Sequence, residues 1–126
     1  MPRAARRQAQ RSDEPVAVHL RVTLRRDVAI GPGKADLLEG IAATGSIAAA
    51  GRRMGMSYKR AWLLVDTMNR CFRVPVVAAA KGGPAGGGAR LTPLGAEVLA
   101  AYRRMQARTV RAVGRDLARL KRRLAR

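Results

Sequence analysis

The amino-acid sequence predicts a mainly α-helical fold with a small β component. Three observations support this prediction: apolar residues recur at helical spacing in four segments, one N-terminal segment alternates with period two, and a glycine-rich segment separates two short β-like runs. The 126 residues suffice for one domain with an extension, and 48% of them are apolar. Because only 3% are aromatic, the core must consist mostly of aliphatic side chains.

The N-terminal part of the chain divides into an arm and a strand. The first residues are polar and arginine-rich, which predicts a disordered basic arm over 1–15. From Val16 to Arg25 apolar and polar residues alternate, and this period of two with β-branched side chains predicts a half-buried strand. Its apolar side carries Val18, Leu20 and Val22, so these residues are expected to pack against other apolar surface.

Three helices are expected next, because the residues that flank each apolar segment favour helix ends. The first helix follows Gly31-Pro32-Gly33 and stops at Gly45, and Ser46 is then a suitable N-cap for the second. Gly55 supplies a turn, and Ser57 caps the third helix. One face of this third helix is apolar and is made of Ala61, Leu64, Val65, Met68 and Phe72.

A β-hairpin and a long helix complete the expected order of elements. Val76–Ala80 and Ala89–Leu91 are predicted to be short strands, joined by the flexible, glycine-rich segment Lys81–Gly88. Thr92 and Pro93 then favour the start of a helix that runs toward the C-terminus. Its apolar stripe is longer than one small domain can cover, so we expect this helix to meet a partner helix, most simply its own copy.

The charge of the chain is strongly positive. Lysine and arginine total 26 against 8 acidic residues, a net charge of +18, which favours a polyanionic partner. Nucleic acid is the first candidate and an anionic membrane surface the second, while a general preference for arginine would explain the charge without a partner. No apolar run approaches the roughly 20 residues that span a bilayer, and the single cysteine excludes an intrachain disulfide. We therefore predict a cytoplasmic protein without a membrane partner.

The order of elements is that of a winged helix-turn-helix with an N-terminal strand and a long C-terminal dimerisation helix. Ala50 and Gly51 permit a close approach of two helices, Gly55 permits a positive φ in the turn, and Met56 fills the corner. The first turn of the third helix then presents polar and basic side chains toward base edges in a major groove. An ordinary helical hairpin with a charged surface is the alternative. The predicted DNA-binding residues are Ser46, Arg52, Ser57, Tyr58, Lys59, Arg60, Lys81, Gly82, Gly83 and Arg90.

The chain is expected to divide into the basic arm, a winged helix-turn-helix DNA-binding domain over 16–105, and a basic extension of the dimerisation helix over 106–126. Gly114 is expected to weaken or bend this helix. The predicted dimerisation residues on the apolar stripe of the long helix are Val98, Tyr102, Met105, Val113, Leu117 and Leu120.

Catalytic chemistry is not expected. The sequence has no paired carboxylates at catalytic spacing and no metal-ligand cluster, and His19 is its only histidine. Cys71 is interpreted as a core residue, and Trp62 as a packing residue rather than a platform for base stacking. The sequence therefore predicts a protein that is not an enzyme and that holds no metal.

Several of these residues resemble the N-terminal domain of the ModE family of molybdate-responsive transcription regulators, over roughly residues 18–105. The matching segments are Leu37–Ile41, Thr44–Ile47, Gly55–Lys59, Ala61-Trp62 and Val65–Asn69, followed in the wing by Gly82, Gly83, Gly86–Thr92 and Gly95. The helix-turn-helix alone is also similar to that of LysR-type regulators.

The resemblance implies a bacterial winged-helix dimer that binds a palindromic operator in double-stranded DNA. It implies that the two copies pair through the long helix and also through the N-terminal strand region, which adds Val18, Leu20 and Val22 to the dimerisation residues. It implies recognition contacts at Ser57–Arg60 and a wing at Lys81–Arg90. Full-length members carry C-terminal molybdate-binding domains of the Mop type, which have no counterpart in this sequence. No cofactor is therefore expected, and molybdate or tungstate are ligands only by the resemblance.

The predicted function is that of a sequence-specific, DNA-binding transcription regulator that acts as a homodimer near the bacterial nucleoid. Two alternatives remain. A nucleoid-associated protein would coat DNA with little sequence preference, which the net charge permits. A helical adaptor would bind another protein through the C-terminal apolar stripe.

Overall fold

The structure is a computed structural model, and it describes residues 17–80 and 88–125. The basic arm predicted over 1–15 and the wing residues Lys81, Gly82 and Gly83 lie outside the described residues. In chain order the elements are β1 (Val22–Arg25), β2 (Val28–Ile30), α1 (Pro32–Thr44), α2 (Ile47–Arg53), α3 (Tyr58–Cys71), β3 (Val77–Ala80), β4 (Gly88–Leu91), α4 (Pro93–Ala112) and α5 (Gly114–Arg122). The prediction of a mainly α fold with a small β component is confirmed.

The main core lies where α1, α2 and α3 pack together and against the β3–β4 hairpin. Leu37, Leu38 and Ile41 of α1 are completely buried there, together with side chains of α3 and Val76. Helices α1 and α2 approach closely at Gly40, because a Cβ on this glycine would lie only 3.0 Å from the Cβ of Ala50. Burial of these aliphatic side chains is the main stabilising contribution in a chain with few aromatic residues.

Asn69 joins α3 to the hairpin through its side-chain amide. Its Nδ2 donates to the carbonyl of Val77 at 3.0 Å, and its Oδ1 accepts from the backbone N–H groups of Val76 and Val77 at 2.9 and 3.1 Å. Thr92 holds the other end of the hairpin, since its hydroxyl donates to the Pro75 carbonyl and caps α4. The hairpin therefore has a fixed base relative to α3.

The N-terminal strand is shorter than predicted and belongs to a hairpin that the sequence did not predict. β1 pairs antiparallel with β2, with Val22 opposite Ile30, and the register shifts between Thr23 and Arg25. This irregularity breaks the alternation, so Leu24 is exposed although it follows the apolar pattern. The hairpin packs on a second cluster, in which Ile30, Ala35 and Tyr102 are buried.

The C-terminal helix is not continuous, which corrects the prediction of one long helix. α4 ends at Ala112 and α5 begins at Gly114, with Val113 at φ −104° and ψ 7° between them. Gly114 lies in open space, and its low helix propensity accounts for a break at this position. α4 runs through positions 105 and 106 without interruption, and the division predicted there, between the domain and an extension of the same helix, stays a prediction. None of the helices among the described residues has the length and apolar character needed to cross a lipid bilayer.

Candidate nucleic-acid interface

Helices α2 and α3 meet at a tight corner that is built from two glycines. A Cβ on Gly51 would lie 3.0 Å from the Cβ of Ala61, so only glycine lets the two helices approach this closely. The carbonyl of Gly51 accepts from the N–H groups of Met54 and Met56, both at 3.0 Å. Gly55 occupies the left-handed region at φ +69°, as the turn requires. The roles predicted for these turn residues agree with the observed geometry.

The first turn of α3 is exposed and cationic. The hydroxyl of Ser57 accepts from the backbone N–H of Arg60 at 3.2 Å and thereby caps the helix. Tyr58 is 59% exposed, and Lys59 and Arg60 are exposed as well. Within residues 17–80 and 88–125, neither cation forms an ion pair with a carboxylate. Two unneutralised positive charges therefore stand at the N-terminus of α3, where the helix dipole also favours an anion.

Helical spacing divides the side chains of α3 into four rows. Ala61, Val65 and Met68 form the buried face. Lys59 and Leu63, which is 53% exposed, lie on the outward face. One flank of α3 carries Tyr58, Trp62 and Asp66, and the opposite flank carries Arg60 and Leu64.

An open groove of about 350 Å³ lies between α3, the start of α2 and the β3–β4 hairpin. We call it the wing-side groove; its lining includes Ser46, Ile47, Tyr58, Trp62, Ala79 and Gly88. Trp62 is 48% exposed, which corrects its interpretation as a packing residue. Its spacing of four residues from Tyr58 was the signal in the sequence that could have placed both aromatic rings on one flank.

The β3–β4 hairpin is held against the turn between α1 and α2. The backbone N–H of Ala89 donates to the carbonyl of Gly45 at 2.9 Å, and this residue precedes the α2 cap Ser46. Arg90 lies opposite Ala78 in the hairpin and is exposed. This contact brings the predicted wing close to the N-terminus of α2.

The other predicted contacts of α2 have different surroundings. The hydroxyl of Ser46 accepts from the N–H of Ala49 at 3.1 Å, so it caps the helix and remains at the rim of the groove. Arg52 is exposed in the last turn of α2, together with Arg53. The structure therefore brings Ser46 next to α3, while Arg52 stands at the far end of a helix of seven residues.

The predicted dimerisation residues separate into two groups. Tyr102 is completely buried and donates its hydroxyl to the Leu20 carbonyl at 2.7 Å, so it belongs to the core of its own chain and offers no surface to a second copy. Burial also raises the pKa of Tyr102. The first group also includes four half-buried residues that pack on the same internal cluster as Tyr102: Leu20, Val22, Val98 and Met105. The second group consists of Val18, Val113 and Leu117, which are half-buried, and Leu120, which is 65% exposed.

Arg103 differs from the other arginines of the C-terminal helices. Its guanidinium pairs with Asp36 at 2.8 Å and with Glu39 at 3.3 Å, and both acids belong to α1. The hydrogen bond to Asp36 raises the pKa of Arg103. Arg103 therefore ties α4 to α1 and adds little to the positive surface potential. The described residues contain no group of three acidic, histidine or cysteine side chains arranged to hold a metal ion.

Comparison with known proteins identifies relatives, although no family model matches the chain. The molybdenum-pterin-binding protein MopB of Rhodobacter capsulatus is 49% identical over 83 residues, which cover 66% of this chain and 31% of MopB. MopA of the same organism is 37% identical over 103 residues, or 82% of this chain and 39% of MopA. The DNA-binding transcriptional dual regulator ModE of Escherichia coli K12 is 36% identical over 83 residues, or 66% of this chain and 32% of ModE.

The chain thus spans about a third of the length of the curated relatives it matches. The similarity covers most of the chain and agrees with the resemblance found in the sequence motifs. The chain carries a domain of the ModE family.

Proposed function

We propose that the chain is a sequence-specific DNA-binding transcription regulator that acts as a homodimer. The observation that carries this proposal is the exposed, cationic first turn of α3, which follows a tight turn after α2 and is free of ion pairs to carboxylates among the described residues. In helix-turn-helix proteins this turn of the second helix enters the major groove. Tyr58, Lys59 and Arg60 are the side chains that would reach base edges and nearby phosphates.

The remaining DNA contacts are assigned by the element on which each residue lies. Ser46 and Arg52 on α2, with Arg90 and the wing residues Lys81, Gly82 and Gly83, would contact the sugar-phosphate backbone. Such contacts position the protein and provide most of the affinity without reading sequence. Lys59 and Leu63 on the outward face of α3 would read bases.

The homodimer is supported by apolar side chains at the C-terminal end of the described chain. Val110, Leu120 and Leu124 are exposed large apolar residues on or just beyond α4 and α5. The positions 113, 117, 120 and 124 repeat with spacings of four and three, which is the pattern of paired helices. A second copy would cover this stripe, and its two-fold symmetry would match a palindromic operator.

The names of the relatives support a regulatory role and bring molybdenum into consideration. One relative is named a DNA-binding transcriptional dual regulator, and two are named for molybdenum-pterin binding. The DNA contacts proposed here use only side chains of the chain itself. We therefore propose that DNA binding needs no molybdate or tungstate.

The test is selection of bound duplexes from a random pool, followed by titration of the selected duplex and a scrambled one at 0.15 M salt. We expect two inverted half-sites about one helical turn apart, and an affinity for the selected duplex on the order of 10³-fold higher or more. Recovery of a single half-site would contradict the homodimer. Equal affinity for both duplexes would contradict sequence-specific binding and favour a protein that coats DNA.

A further inference from the structure

A second cleft lies on the flank of α3 opposite the wing-side groove. It has a volume of about 270 Å³ and is bounded by the residue before β1, by β2, by the start of α1, and by the α2–α3 turn and α3. We call it the basic cleft, because its lining includes the three cationic residues Arg21, Lys34 and Arg60. Its other lining residues are Ala29, Gly31, Gly33, Met56 and Leu64, so none of the described residues that line it is acidic.

The three cations reach the cleft from three separate elements of the fold. Arg21 precedes β1 and packs over Gly31, since its Cγ lies 3.8 Å from the position that a Cβ on Gly31 would take. Lys34 belongs to α1, and its Nζ donates to the Ala29 carbonyl at 2.8 Å, which fixes the ammonium group at the wall. An ammonium group has three donors, so two of them remain for a ligand.

No carboxylate among the described residues neutralises this cluster. Arg21, Lys34 and Arg60 are absent from every ion pair formed within residues 17–80 and 88–125. The acidic residues of α1, Asp36 and Glu39, pair instead with Arg103 of α4. A concave surface with three converging cations and no acid attracts an anion more strongly than the same charges spread over a flat surface.

The ligand chemistry follows from the shape and the donors. A guanidinium offers a planar pair of N–H donors and an ammonium offers a point charge, and both bind the oxygens of a tetrahedral oxyanion. Arg60 belongs both to this cleft and to the first turn of α3. An anion in the cleft therefore lies beside the ligand that the first turn of α3 contacts, which is DNA in the proposed function.

We propose that the basic cleft is an oxyanion site that takes a backbone phosphate of the DNA, on the strand opposite the one that the wing contacts. This inference rests on the proposed function. A helix in the major groove has one sugar-phosphate backbone on each side. The hairpin lies on one flank of α3 and the basic cleft on the other, so each backbone meets its own part of the chain.

Gly33 provides a direct test because a side chain can be added there without a steric conflict. A Cβ on Gly33 would meet no atom within 4 Å. Gly33→Glu introduces a negative charge at the cleft, and an acidic residue in the first turn of a helix favours folding. Gly33→Ala is the uncharged control, and Arg104→Gln makes the same change in net charge at an exposed position on α4.

We expect Gly33→Glu to bind both the selected and the scrambled duplex about 5- to 10-fold more weakly than Gly33→Ala at 0.1 M salt. The slope of log affinity against log salt concentration should also be lower by about one unit. Arg21→Gln should behave in the same way, and Arg104→Gln should not. Thermal unfolding of Gly33→Glu checks that the fold is retained.

Three results would overturn the proposal: equal affinities of Gly33→Glu and Gly33→Ala, a loss confined to the selected duplex, or an unchanged salt dependence. A titration with inorganic phosphate distinguishes the source of the anion. If phosphate shifts the Gly33 amide resonance while Gly33→Glu leaves duplex binding unchanged, the cleft binds a free oxyanion and the DNA assignment fails. If the wild type does not discriminate the two duplexes, the proposed function fails, while a uniform loss in Gly33→Glu still supports the phosphate site.

Discussion

The two flanks of α3 differ in chemistry although they border the same helix. The wing-side groove presents Tyr58 and Trp62 together with Asp66, which forms an ion pair with Arg70. The basic cleft presents Arg21, Lys34 and Arg60, and within residues 17–80 and 88–125 no acidic side chain lines it. An aromatic surface contributes to DNA affinity by excluding water and by its shape. A cationic cleft contributes to DNA affinity by releasing counterions from phosphates. The two flanks should therefore respond to salt in different ways.

The flanks also differ in how the chain supports them. On the wing side, the Asn69 side chain forms three hydrogen bonds with the backbone of the β3–β4 hairpin. The opposite side depends on the β1–β2 hairpin, which Tyr102 holds through its bond to the Leu20 carbonyl. A substitution at either support should loosen its own flank first.

The largest expected effect is that of Asn69→Ala on stability. The substitution removes three hydrogen bonds and leaves the N–H groups of Val76 and Val77 without this partner, so we expect a loss of about 3 kcal/mol in the free energy of unfolding. Thr67→Ala, on the exposed side of α3, should change it by about 0.5 kcal/mol or less. Chemical denaturation measures both values.

Amide hydrogen exchange shows which flank Asn69→Ala loosens. We expect faster exchange in β3 and β4 and unchanged exchange in β1 and β2, because the hydrogen bonds of the Asn69 side chain go to the β3–β4 hairpin. Equal acceleration in both hairpins would mean that the two flanks do not have separate supports.

A smaller effect is expected for Trp62→Ala on DNA binding. The loss of apolar contact should lower the affinity for the selected duplex by about 1 to 2 kcal/mol and leave its salt dependence unchanged. Arg60→Gln, on the other flank, should lower the slope of log affinity against log salt concentration by about one unit. If Trp62→Ala lowered the salt dependence as much as Arg60→Gln, the distinction between the flanks would be wrong.

Local sequence signals predicted the helix starts and the turn that position the two flanks of α3. Ser46, Ser57 and Thr92 were identified as helix caps, and each accepts the capping hydrogen bond in the structure. The glycine turn between α2 and α3 was also predictable, because left-handed backbone geometry and close helix contacts both restrict the residue type. These features depend on residues that are close together in the chain.

Features that depend on distant residues were not predictable in the same way. β2 has only three residues, and its pairing with β1 gives it no periodic signal of its own. Tyr102 fits a helical apolar stripe, but its burial depends on Leu20, which is 82 positions away. The basic cleft likewise assembles Arg21, Lys34 and Arg60 from different elements, and no spacing in the sequence reveals that they converge.

The central claim is that α3 reads bases through its exposed first turn, and Lys59 is the residue that tests it. The measurement is the ratio of affinities for the selected and the scrambled duplex, in Lys59→Ala and in Arg104→Ala, which removes the same charge from α4. We predict that Lys59→Ala lowers this ratio by the equivalent of about 1 to 3 kcal/mol and that Arg104→Ala leaves it unchanged. An unchanged ratio in Lys59→Ala, with equal losses on both duplexes, would contradict the claim.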